Sequence, residues 1–147
     1  MYIEYKFLKI PEKYLDAVSA MIAEYLFGWT DLEEVIVFDD EVIWYGVDVS
    51  TGLRSPVHSY HNVTDIRVFI LEMAKKGLEV DIGSCLYLYP ERFRYLSTVT
   101  KIRKKTKGPV ILAERYGDVL TLTLLEAILC SLGHENELET LRRNYNL

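Results

Sequence analysis

His58 and His61 stand three residues apart, a spacing at which two imidazoles on one turn can reach the same metal ion. No third ligand at a suitable spacing is evident, so no metal centre is expected. A nucleophile with its base can be composed from Ser55 or Ser59, His58 and Asp48. No Gly-x-Ser-x-Gly context surrounds them, so the strained turn that presents such a nucleophile is not implied. Gly52 and Gly108 are isolated glycines, which argues against phosphate loops of the P-loop or Rossmann kind. Neither catalysis nor a cofactor is expected.

These residue types are better suited to holding an anion. The stretch Asp48 to His61 lacks periodicity and carries Arg54, His58, Tyr60 and His61, and Thr64 follows just before a helix start. Free N–H groups and the dipole favour negative charge there. Between Arg92 and Lys107 there are seven basic residues and no acidic one, interleaved with Phe93 and Tyr95. Such a mixture offers charge for phosphates and stacking surface for bases. The expected ligand set is therefore Arg54, His58, Tyr60, His61, Thr64, Arg92, Arg94 and Arg103, with a phosphate-bearing small molecule as partner. The same basic arm also reads as a solubilising hairpin whose lysines keep an edge strand from pairing with other chains, or as a surface for an acidic protein.

Positioning such groups requires a frame, and its surest element is a helix. Ile66, Phe69, Ile70 and Met73 follow an i, i+3, i+4, i+7 rule, with Arg67, Glu72, Lys75 and Lys76 on other faces. The pattern predicts a helix capped by Asn62 or Thr64 and ending at Gly77, a residue suited to the left-handed position past a helix end. Burial of the four stripe residues brings roughly 6 to 12 kcal/mol of transfer free energy, an upper bound before entropy. A sheet must lie beneath it to collect that.

Alternation predicts a strand over Met1 to Lys9, and a first helix follows over Pro11 to Phe27, closing on Gly28 and Trp29. Glu34 to Phe38 and Val42 to Val47 read as a hairpin across Asp39, Asp40 and Glu41. Leu78 to Ile82 and Cys85 to Tyr89 read as another, turning through Gly83 and Ser84 and ended by Pro90. Tyr95 to Arg103 and Pro109 to Arg115 form a third, with Lys104 to Gly108 at its tip. The spacing of Thr123 and Glu126 predicts a capping box opening the last strong helix, whose face is Leu124, Leu125, Ile128, Leu129 and Leu132. A short helix over Glu135 to Tyr145 ends the chain.

At 147 residues, 50% hydrophobic and 27% charged, the sequence is the size of one domain with a full core. The fold class expected is α+β, a mostly antiparallel sheet of five to seven strands with helices packed on it. No run approaches the roughly eighteen apolar residues of a membrane span, and Met1 to Ile10 has neither a basic n-region nor a small-residue cleavage site. A cytosolic protein is expected. Cys85 and Cys130 sit in apolar runs without zinc spacing and read as buried hydrophobes. The net charge of −5 argues against whole-protein attraction to nucleic acid. The apolar faces over Pro11 to Phe27 and Thr123 to Leu132, with Tyr25, Trp29, Trp44 and Tyr45, exceed what one sheet side covers, so a homo-oligomer is expected.

Three stretches then carry a resemblance. Leu15 to Trp29 closes on Gly28-Trp29; Pro56 and Tyr60 lead into Thr64-Asp65-Ile66; and Leu120 to Gly133 places Ile128 with Cys130 in the last strong helix. In these features the chain resembles the phage ABA sandwich domain family of small phage and prophage proteins. Leu124 and Leu125 depart from it, standing where small residues are typical, and Arg92 to Lys107 looks like a lengthened hairpin. The resemblance implies an antiparallel sheet with helices on it and a phage or mobile-element origin. It transfers no catalytic residue, since the family has no established activity. Together with the charge anomaly it suggests an accessory protein that sequesters an anionic host factor, such as a nucleotide-type immune signal, in the cytoplasm of an infected cell. An antagonist that binds a host effector, or a structural or regulatory phage component, is the alternative.

Overall fold

The computed structural model describes residues 10–84, 94–102 and 108–147. The strand expected over Met1 to Lys9, the one over Cys85 to Tyr89, and Arg92 and Arg103 lie outside them. Four helices and six strands make up the described chain: α1 (Glu12–Tyr25), β1 (Thr30–Ile36), β2 (Val42–Val47), β3 (Arg54–Pro56), α2 (Arg67–Lys75), β4 (Leu78–Ser84), β5 (Tyr95–Ile102), β6 (Pro109–Gly117), α3 (Leu120–Ser131) and α4 (Glu135–Asn144).

The class is α+β as expected, but among the described residues the strands form two sheets. One runs β1-β2-β3 and the other β4-β5-β6, both antiparallel throughout. The reason lies in α1 and α3. Residues Tyr14, Ala17 to Ala23 and Leu122 to Leu129 are all buried, so the middle turns of both helices are covered on every side. A helix apolar all round needs neighbours on all faces, and one sheet can supply only one. Accordingly α1 packs on β1, β2, α3 and α4, while α3 packs on β5 and β6. The core is one cluster that includes Tyr14, Ile22, Trp29, Phe69, Met73, Val99, Leu125, Ile128 and Leu138.

Within this frame the amphipathic stripe behaves as its periodicity dictates. Phe69 and Met73 are fully buried, Ile66 and Ile70 are partly covered, and Gly77 takes φ 75° just past α2. The start of α2 differs: neither Asn62 nor Thr64 caps it, and Asp65 Oδ1 accepts the Arg67 backbone N–H at 3.1 Å instead.

Two further expectations are corrected. Gly83 and Ser84 do not turn; they continue β4 and pair with Leu96 and Tyr95, because β5 offers an unbroken partner from Leu78↔Lys101 to Ser84↔Tyr95. Thr123 does not open α3 either. That helix starts at Leu120, one turn earlier, and the Thr123 hydroxyl donates to the Val119 carbonyl at 2.7 Å. Glu126 consequently points inward, accepting from Arg142 Nη1 at 2.7 Å and Arg115 Nη2 at 3.1 Å. Arg115 also pairs with Glu139 at 2.7 Å. Burial, reinforced by the Glu126 carboxylate, holds the neighbouring Tyr14 phenol protonated far above its ordinary range.

Candidate functional site

The stretch from Asp48 to His61 is more ordered than its lack of periodicity suggests. Arg54, Ser55 and Pro56 pair with Val47, Gly46 and Tyr45 as β3, and Tyr60–Asn62 form a single 3-10 turn against α1. Gly46 permits this sheet to close on its neighbours, since a Cβ there would collide with the Leu32 side chain and press on Trp29.

The described members of the expected ligand set are held as follows. Arg54 donates to Glu33 Oε2 at 2.6 Å and lies 5.6 Å from the Tyr45 ring centroid. His58 and Tyr60 do come together, with centroids 5.8 Å apart, but in an aromatic cluster: His58 meets Trp29 edge-on and Tyr60 stacks on Phe27 at 4.9 Å. Tyr60 is buried, which pushes its phenol up to about 12, with the Asp48 charge adding to the shift. Thr64 is exposed. Arg94 stands just before β5 in the other sheet, its backbone N–H donating to Gly117 O at 3.2 Å.

At the positive end of α2 the arrangement is already compensated. Asp65 takes the Arg67 backbone N–H and two bonds from its guanidinium, and these hold the carboxyl down at about 2. Of the composed nucleophile set, Asp48 and Ser55 are engaged with close neighbours in the chain. Asp48 Oδ1 accepts the Ser50 N–H and hydroxyl, which lower its pKa, and the Ser55 hydroxyl donates to Leu53 O.

Among the concave regions on the α1 side of the first sheet, two stand out. The larger, a groove of about 510 Å³ between α1, α4, β1 and β2, has apolar walls from Ala17, Ala20, Met21, Leu32, Trp44 and Leu141. Glu24, Asp31 and Glu137 also line it, and among the described residues no Lys or Arg does. Asp31 sits in the irregular pairing between Thr30 and Glu33 with φ 53°, a left-handed backbone that non-glycine residues seldom adopt. Glu137 accepts a hydrogen bond from the Tyr25 hydroxyl at 2.7 Å. Tyr25 in turn stacks on His134 at 3.4 Å.

The smaller cleft, about 170 Å³, is lined by Asp16, Ser19, Trp44, Val57, His58 and Ser59 among others. Beside it His61 is inserted under α1. Its Nδ1 lies 2.9 Å from Ser19 Oγ and its Nε2 lies 3.7 Å from Glu12 Oε1. Burial raises the Asp16 carboxyl above its ordinary value, opposed by His61 and aided by Glu12.

Sequence reasoning missed the carboxylates of both regions. Glu12 and Asp16 are four apart on one helix face, a visible signal with no visible partner. Nothing in the local sequence marks Glu24, Asp31 and Glu137 as neighbours. No protein-family model, curated protein or solved structure matches the chain.

Proposed function

We propose that the chain acts by binding rather than turnover, and that the groove between α1, α4, β1 and β2 holds a small ligand with an apolar body and a cationic end. The observation that carries this reading is the lining: Trp44, Met21 and Leu32 offer apolar surface, and Glu24, Asp31 and Glu137 supply negative charge with no lysine or arginine among the described lining residues. Ligand sites are characteristically apolar clefts of this size with a few placed polar groups. The left-handed Asp31 adds to the case, since backbone strain of this kind recurs where a side chain must be aimed.

A second reading keeps the anionic host factor, held by the basic arm from Arg92 to Lys107. It is supported by the charge run itself, seven cations with no acid, and by the likeness to phage accessory proteins. In that form the protein is a sponge for a nucleotide-type signal; a protein-binding antagonist is its alternative.

One experiment separates these readings. The purified protein is denatured by heat and the released small molecules are identified, alongside thermal-shift titrations with spermidine and with linear and cyclic nucleotides. A cationic ligand retained by wild type and lost in Asp31→Asn and Trp44→Ala is the expected result. A nucleotide lost on replacing Arg92, Arg94 and Arg103 by Gln, with affinity falling steeply in salt, establishes the second reading instead. No release and no shift with any probe leaves the protein antagonist.

A further inference from the structure

The Glu12–Asp16–His61 cluster combines chemistry and geometry that none of its members needs for the fold. One oxygen or nitrogen from each lies within 4.8 Å of the other two. The His61 side chain is only 5% exposed, yet among the described residues its Nε2 has no hydrogen-bond partner. Buried polar atoms are paired in the great majority of cases, so an orphaned ring nitrogen facing two carboxylates asks for a ligand. Glu12 does not satisfy it, because 3.7 Å exceeds hydrogen-bonding reach.

The opposite edge of the ring is fixed. Ser19 Oγ lies 2.9 Å from Nδ1 and accepts the His61 backbone N–H at 3.4 Å. With Nδ1–H donated to the same oxygen, Nε2 becomes the lone-pair nitrogen of the ring. Metal-binding histidines are held in this way by a partner on their other nitrogen.

We infer that Glu12, Asp16 and His61 form a binding site for a divalent first-row transition ion, with Zn²⁺ as its natural occupant. One imidazole and two carboxylates suit such an ion, which leaves coordination positions for water. Ligand bonds of about 2.0–2.2 Å place neighbouring donor atoms about 3.4 Å apart in a tetrahedral arrangement. The Nε2 to Oε1 distance of 3.7 Å is already close to this, and Glu12, with a side chain 75% exposed, is free to swing the rest of the way. Asp16 also lines the 170 Å³ cleft, which gives the ion access and room for water. The site is separate from the proposed ligand groove, whose lining includes none of the three residues.

The test uses the full chain, stripped with a chelator, in calorimetric titration with Zn²⁺ and in visible absorption with Co²⁺. One ion per chain is expected, with micromolar affinity or better and a rise in melting temperature. Asp16→Asn and Glu12→Gln, which preserve shape, are expected to weaken Zn²⁺ binding by well over tenfold. Ser19→Ala, which frees the ring to turn, is expected to weaken it about 10- to 100-fold. Metal-free melting temperatures near that of wild type separate loss of a ligand from loss of the fold. A wild-type chain that binds neither ion at micromolar concentration overturns the inference, as does Zn²⁺ binding that is unchanged in both carboxylate variants.

Discussion

Glu126 shows how far a residue's role can lie from its local pattern. Its spacing from Thr123 reads as a capping box, yet its carboxylate is 8% exposed and bonded to Arg115 and Arg142, which come from β6 and α4. Removing it would leave two partly buried guanidiniums facing an empty hole, although Arg115 keeps Glu139. Glu126→Ala is therefore expected to cost about 3 kcal/mol, the low end for a broken buried pair because both arginines retain some water. Urea denaturation measures this, and in a double-mutant cycle with Arg142→Ala the two losses should fall short of additive. A change within experimental error in Glu126→Ala would show the network to be a surface feature. The candidate metal cluster was illegible for the same reason. His61 meets Ser19 from 42 residues away, a contact that no spacing rule contains. Only the pair Glu12 and Asp16 was in plain view, and i, i+4 carboxylates on a helix are common without function.

Among the elements, legibility followed periodicity. The stripe over Ile66 to Met73, the first helix and the two strands of the third hairpin all form where the apolar pattern puts them, because burial of their own faces decides them; the hairpin tip from Lys104 to Lys107 lies outside the described residues. Boundaries failed where a competing partner outweighed a local signal: Gly83-Ser84 is good turn chemistry, but seven ladder pairs with β5 are worth more. The short β3 was invisible, since Arg54–Pro56 has no alternation of its own and is recruited by the edge of β2. Phe69 tests the element that reads most clearly. It is fully buried, with Phe27 and Tyr60 rings 6.2 and 6.1 Å from its own. Truncation to Ala should cost about 3 to 5 kcal/mol, enough to unfold much of a domain of ordinary stability. A denaturation midpoint like that of wild type would mean that α2 does not pack as described.

At the scale of the molecule, the described strands form two sheets in place of the single one expected, because apolar girth on α1 and α3 had to be covered from more than one side. That same girth was an argument for self-association, and the fold absorbs much of it: Trp29 is 3% exposed and Tyr25 is stacked on His134. The remaining apolar exposure lies elsewhere. Ile36 at the end of β1 is 72% exposed and Phe38, two residues on, is 90% exposed, with Asp39 and Asp40 in left-handed backbone at the same tip. Ile36 and Phe38 thus leave two large apolar side chains exposed at one tip. We expect a second copy to cover them, giving a homodimer in sedimentation velocity at micromolar concentration. Phe38→Ser should return the chain to monomer mass with its melting temperature little changed at low concentration, since the side chain makes almost no contribution to the core of its own subunit. Wild-type protein that sediments as a monomer would refute the dimer.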